Sequence, residues 1–62
     1  MRVFRKGCLY NVYDKTIGEY YPEMYYFQNE RKDGILVFRK PDTKEKLYLH
    51  KSLIEKGFYE VK

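Results

Sequence analysis

Covalent chemistry in this chain could come from only one pair of residues, Cys8 and His50, the single cysteine and the single histidine. A catalytic nucleophile needs a base within hydrogen-bond reach and usually a third residue that orients the base. Alternation along the segment CLYNVYD places Cys8 on the same strand face as Tyr10 and Val12, and we predict that this face is buried. A small buried thiol serves packing. We therefore predict no catalytic residue and a protein that is not an enzyme.

Metal and cofactor sites lack the residues they need. Zinc is usually held by four Cys, His or carboxylate ligands, whereas this chain offers one cysteine, one histidine and scattered acids. A phosphate-binding loop needs closely spaced glycines. The four glycines of this chain lie far apart, each where a turn explains it: Gly7, Gly18, Gly34 and Gly57. We predict neither a metal nor a cofactor.

Basic residues are the next group whose chemistry could carry a function. The chain has 13 Lys and Arg against 9 Asp and Glu, and its net charge of +4 favours an anionic partner. Most basic residues gather in two regions, which comprise Arg2, Arg5 and Lys6, and then Arg39, Lys40, Lys44, Lys46 and Lys51. We expect one end of the domain to be positive. The alternative is that the charges solvate both faces of a small sheet and blunt its edges.

Tyrosines are concentrated in the segment GEYYPEMYYF, residues 18–27. Strand alternation sends Tyr25 and Phe27 to one face and Tyr26 to the other. We predict that Tyr25 and Phe27 lie in the core, because the opposite register would bury Gln28. Tyr26 is then expected on the outer face.

A second tyrosine, Tyr48, is expected on that same outer face. With Arg39 between them in the sheet, Tyr26 and Tyr48 would form an aromatic and basic surface suited to stacking on bases and contacting phosphates. Cross-strand tyrosine pairs also stabilise sheets in proteins that bind nothing there. The residue pattern leaves both interpretations open.

Short strands must position these residues. A chain of 62 residues allows one domain, residues 1–62, with a small core. Eight Tyr and four Phe supply the bulk of that core. Turn signals recur at short intervals, which is typical of an all-β protein.

The predicted elements follow from these turn signals and from alternation. A strand over residues 8–14 is followed by a long loop to residue 22 and by a meander of strands at 24–29, 35–39 and 47–50. Asp33 and Gly34 predict the first hairpin turn of the meander. Ser52 and Glu55 have the spacing of a capping box, and Gly57 suits the residue that ends a helix. One helical turn is therefore predicted before a last strand over residues 58–62.

This order resembles the SH3-like barrel, in which a long loop follows the first strand and a short helical turn precedes the last. The resemblance covers the whole chain and implies a small five-stranded barrel. Locally, residues 38–43 (FRKPDT) followed by His50 and Lys51 look like the hairpin of the small crenarchaeal chromatin proteins. Those proteins are SH3-like and bind duplex DNA without sequence preference, but they use a glycine where this chain has residues 44–46 (KEK). The tyrosine- and lysine-rich composition is also similar to small phage or mobile-element proteins with SH3-like folds.

Taken together, these features predict a small binding module that contacts nucleic acid through a basic, tyrosine-bearing face of the meander. The residues expected to form the site are Arg39, Lys40, Lys46, Tyr48, Tyr26, Arg5 and Lys6. The alternative is a protein-binding module, such as an inhibitor or adaptor encoded by a phage or mobile element, that uses exposed tyrosines.

A cytoplasmic location is also expected. A single cysteine cannot form an internal disulfide, which fits a reducing compartment. The basic start of the chain runs into a strand pattern rather than an apolar signal segment. No stretch approaches the roughly 18 apolar residues of a membrane helix, so we expect no membrane partner.

Overall fold

The computed structural model describes residues 3–62, so the predicted basic residue Arg2 lies outside the described residues. The described chain forms strands β1 (Leu9–Tyr10), β2 (Val12–Asp14), β3 (Glu19–Tyr20), β4 (Tyr25–Glu30), β5 (Ile35–Arg39) and β6 (Lys46–His50), helix α1 (Lys51–Glu55), and strand β7 (Tyr59–Val61). The strands make two antiparallel sheets, in the orders β1-β4-β5-β6 and β3-β2-β7. The all-β class is confirmed, with seven strands among residues 3–62 where five were predicted.

The predicted first strand is divided between the two sheets. Before Asn11, strand β1 pairs with β4. After Asn11, strand β2 pairs with β7. Tyr10 and Val12 are nevertheless both buried, as predicted. Alternation continues through Asn11 while the chain passes from one sheet to the other, so both residues reach the same core.

Cys8 is a correction to the sequence analysis, because its side chain is exposed rather than buried. It precedes β1 and ends a turn in which its N–H donates to the carbonyl of Arg5 at 3.2 Å. A residue in this turn need not follow the alternation of the strand after it. The prediction extended the strand one residue too far toward the N-terminus.

The predicted long loop after the first strand contains a hairpin of its own. Strand β3 pairs with β2, with Tyr20 opposite Tyr13 and Glu19 opposite Asp14. The buried Asp14 carboxylate accepts hydrogen bonds from the N–H and hydroxyl of Thr16 and so fixes the intervening turn. Two residues are too few to show alternation, and for that reason β3 left no signal in the sequence.

The predicted meander is confirmed as β4, β5 and β6. Its first turn is closed by hydrogen bonds from Gly34 N–H to the Arg31 carbonyl (3.0 Å) and from Arg31 N–H to the Ile35 carbonyl (2.8 Å). Gly34 has φ +86°, as a glycine in this type of hairpin loop often does. A register shift between Phe27 and Asn29 leaves Gln28 as the extra residue of a bulge in β4.

The core lies between the sheets and is rich in aromatic rings. Tyr25 and Phe27 are only 6% and 8% exposed, which confirms the predicted inward face of β4. Phe4, upstream of the first strand, packs its ring against those of Tyr10, Phe27 and Phe38. The buried cluster comprises Phe4, Tyr10, Val12, Tyr25, Phe27, Leu36, Phe38, Leu49 and Val61.

The single helical turn before the last strand is confirmed, but its cap differs from the prediction. Helix α1 begins at Lys51, so the N-cap is His50, whose side chain accepts from the N–H of Ser52. Ser52 is therefore inside the helix and cannot cap it in the predicted box with Glu55. Gly57 has φ +83° and follows the helix as predicted. Within residues 3–62, no helix is both long and apolar enough to cross a membrane.

Candidate nucleic-acid interface

Four residues form a row across the outer face of the four-stranded sheet. Leu9 is opposite Tyr26, Tyr26 is opposite Arg39, and Arg39 is opposite Lys46. Directly paired residues point to the same side of a sheet. The next row along β4 to β6, which includes Phe27 and Phe38, points into the core instead. The row therefore places one tyrosine beside two cations on the surface.

Tyr48 extends the same outer face by one further row. It lies two residues after Lys46 on β6, opposite Val37, and is 53% exposed. Tyr26 and Tyr48 thus belong to the two strands that flank β5, the strand that carries Arg39. We call the surface formed by Tyr26, Arg39, Lys46 and Tyr48 the outer face of the meander.

The tyrosines of the outer face differ from the other tyrosines in their packing. Six of the eight tyrosines contact another aromatic ring: Tyr10, Tyr13, Tyr20, Tyr21, Tyr25 and Tyr59. Among residues 3–62, Tyr26 and Tyr48 have no such ring contact. These two rings therefore do not serve the aromatic packing that accounts for the rest.

An open cavity of about 460 Å³ lies on this face. It is lined by Lys6, Gly7, Tyr26, Phe27, Gln28, Arg39 and Lys46. We call it the basic cavity. Four of the seven site residues predicted from the sequence line it, namely Lys6, Tyr26, Arg39 and Lys46.

A tight turn positions Lys6 beside the strands. Residues 5–8 form this turn, and Gly7 stands at its third position with φ +83°, which a type II turn requires there. The N–H of Gly7 donates to the carbonyl of Phe27 at 2.9 Å, and the N–H of Phe27 donates to the carbonyl of Cys8 at 3.1 Å. The turn is thereby fixed to β4 next to Tyr26.

The basic cavity is lined by cations and by no acidic residue among residues 3–62. The described residues contain ion pairs that engage Lys15, Arg31, Lys40, Lys51 and Lys62. Within residues 3–62, none of these pairs involves Lys6, Arg39 or Lys46. Three side chains from three different elements therefore bring uncompensated charge to one depression.

The other predicted site residues lie outside the basic cavity. Lys40 pairs with Glu45 at 3.1 Å and with Glu23 at 3.7 Å. The hydrogen bond to Glu45 raises the pKa of Lys40 above its ordinary value. Arg5 is exposed in the turn beside Lys6, and its backbone N–H donates to the Tyr10 hydroxyl. Lys40 is thus already neutralised, while Arg5 and Tyr48 border the site without lining the cavity.

Gln28, Gly7 and Phe27 line the cavity but were not among the predicted site residues. Gln28 lines the cavity and is the extra residue of the bulge in β4. Its half-buried amide contributes both hydrogen-bond donors and an acceptor. Alternation alone places Gln28 on the outer face with Tyr26, and that pattern does not distinguish a bulge from an ordinary outward position.

The structure does not join Cys8 and His50 into a catalytic pair. The imidazole of His50 bonds to Ser52 and to the carbonyl of Asp33. Within residues 3–62 no group of three or more His, Cys, Asp or Glu side chains could hold a metal ion.

Comparison of the chain with protein-family models, with curated proteins and with solved structures found no match.

Proposed function

We propose that this protein is a non-enzymatic module that binds nucleic acid through the outer face of the meander and the basic cavity. The observation that carries the proposal is the cavity itself, where Lys6, Arg39 and Lys46 meet beside the ring of Tyr26 and none of the three forms an ion pair within residues 3–62. Cations of this kind neutralise phosphates and release their counterions, which supplies most of the affinity of non-specific binding. An exposed tyrosine ring adds a surface for base stacking.

We infer an SH3-like arrangement of the two sheets as the scaffold. The antiparallel pairing of β2 with the last strand, the three-strand meander and the helical turn before β7 all support it. In this arrangement the meander is one wall of the domain, and its outer face is available to a ligand. A cytoplasmic location fits the same role, since a reducing compartment suits a chain with a single exposed cysteine.

The test is titration of fluorescently labelled oligonucleotides with the purified protein at two salt concentrations. We expect saturable binding at low salt that weakens as salt rises, because phosphate contacts release counterions. The double variant Arg39→Ala and Lys46→Ala should bind more weakly and with a flatter salt dependence.

Lys32→Ala, compared with the single variant Lys46→Ala, provides a control for the loss of one positive charge. Lys32 is exposed in the turn between β4 and β5, at the opposite end of β5 from Arg39. Its replacement removes one positive charge without touching the basic cavity, so it should change affinity little. Absence of saturable binding to any oligonucleotide at low salt would contradict the proposed function.

A protein-binding module is the second candidate, and one observation favours it. Large apolar side chains stand half-exposed around the three-stranded sheet, at Ile17, Tyr20 and Phe58. Exposed aromatic residues are common anchors in protein interfaces. This candidate predicts that Tyr20→Ala weakens binding to a protein partner, whereas the double variant Arg39→Ala and Lys46→Ala does not.

A further inference from the structure

The size of the basic cavity indicates what it can hold. Its volume of about 460 Å³ lies in the range of roughly 300–1,000 Å³ that is common for ligand-binding clefts. Bases in a duplex are stacked and paired, and they must leave the stack before they can occupy a pocket. A cavity of this kind therefore suits an unpaired nucleotide better than an intact duplex.

Tyr26 offers a ring on which a base can stack. It lies on β4, with Leu9 opposite it on one neighbouring strand and Arg39 opposite it on the other. The residue is half-buried, so its position is restricted before a ligand arrives. Among residues 3–62 no aromatic ring packs against it. Stacking on such a preorganised ring costs little conformational entropy.

The cations and the amide around Tyr26 match the remaining parts of a nucleotide. Arg39 can hold two phosphate oxygens at once through its planar guanidinium, and Lys6 and Lys46 add charge from the turn and from β6. Gln28 can both donate to and accept from the edge of a base, which is exposed only when the base is unpaired. The aromatic, cationic and amide groups thus stand around one depression.

We propose that the basic cavity binds one unpaired nucleotide, with its base on Tyr26 and its phosphate among Lys6, Arg39 and Lys46, so that the protein prefers single-stranded nucleic acid to duplex. This inference rests on the proposed nucleic-acid function and specifies the class of ligand. Tyr48, one row away on the same face, lies where a neighbouring base of the same strand can stack.

The experiment compares one oligonucleotide as a single strand and as a duplex with its complement, at the same low salt concentration. The unmodified protein should bind the single strand more tightly. Tyr26→Ala should weaken single-strand binding by roughly 5- to 150-fold, the equivalent of one stacked base, and should leave duplex binding nearly unchanged. Tyr26→Phe keeps the ring and should retain most of the affinity.

A second measurement does not depend on any variant's folding. In an NMR titration of the unmodified protein with the single strand, the largest shifts should fall on Tyr26, Gln28 and Arg39. Equal or tighter duplex binding, or shifts confined to other residues, would overturn the single-strand inference while leaving nucleic-acid binding intact. Failure of both forms to bind would overturn this inference together with the proposed function.

Discussion

The imidazole of His50 accepts a hydrogen bond from the backbone N–H of Ser52, at 3.1 Å between Nδ1 and the amide nitrogen. Its other nitrogen, Nε2, lies 2.9 Å from the carbonyl oxygen of Asp33. A backbone N–H can only donate and a carbonyl can only accept, so in these two bonds Nδ1 is the acceptor and Nε2 carries the proton. One side chain therefore caps the helix and ties it to the first turn of the meander.

Replacing His50 should destabilise the domain through the loss of this cap. We expect His50→Ala to lower the free energy of unfolding by about 1 kcal/mol for the N-cap alone, and further for the lost contact with Asp33. His50→Asn is the matched control, because asparagine is a good N-cap and should restore part of the loss. Urea unfolding of the three proteins measures the effect. Equal stabilities for His50→Ala and the unmodified protein would show that the cap contributes nothing.

Much of the fold follows from local signals in the sequence. Period-two alternation identified the meander and the inward face of Tyr25 and Phe27, because one face of each strand had to be apolar. Gly57 signalled the end of the helix, since glycine readily adopts its positive φ. These features depend on residues close to one another in the chain.

The features that were missed depend on distant contacts. The change of sheet at Asn11 preserves alternation, so no local pattern reveals it. The cap by His50 was not recognised because histidine is not among the usual capping residues and its orientation depends on Asp33, far away in sequence. In the site, alternation placed Tyr26 and Arg39 on one face, but the pairing of Lys40 with Glu23 arises only when the chain has folded.

The exposed thiol of Cys8 should react readily in the native protein. Its position in a surface turn predicts complete labelling by a thiol reagent without denaturant, at a rate close to that of the unfolded chain. Cys8→Ser should change the free energy of unfolding by no more than about 0.5 kcal/mol, as is usual at exposed positions. If labelling is slow and requires denaturant, Cys8 is buried, as alternation predicts, and the exposed position is wrong.

The charge of Glu60 should make stability depend on pH in the acid range. Its carboxylate pairs with Lys62 at 3.1 Å and with Lys15 at 3.2 Å, and these bonds, Lys62 first, lower the pKa of Glu60 below its ordinary value of 4.5. A carboxylate whose pKa falls on folding stabilises the protein above the unfolded value and loses that contribution as pH falls through the folded value.

The corresponding variant is Glu60→Gln, which should melt at a slightly lower temperature than the unmodified protein at neutral pH and low salt. The difference should disappear below the pKa of Glu60, and added salt should reduce it because the pairs are exposed. Glu55→Gln is the matched control, since Glu55 is exposed and takes part in no ion pair within residues 3–62. A difference that persists in acid would assign the effect of Glu60→Gln to something other than charge.

Lys40 and Lys46 carry the same charge but should differ in nucleic-acid binding. Lys46 lines the basic cavity and forms no ion pair in the described part of the chain, whereas Lys40 is held by Glu45 and Glu23. Lys46→Ala should therefore weaken binding to a single strand and reduce the slope of log affinity against log salt by about 0.7, the value for one phosphate contact. Lys40→Ala should leave that slope unchanged, because the Lys40 ammonium would have to leave two carboxylates before it could reach a phosphate.

Melting temperatures of both variants, measured alongside, separate loss of binding from loss of fold. A slope that falls equally in the two variants would mean that Lys40 exchanges its carboxylates for phosphate on binding, contrary to this prediction.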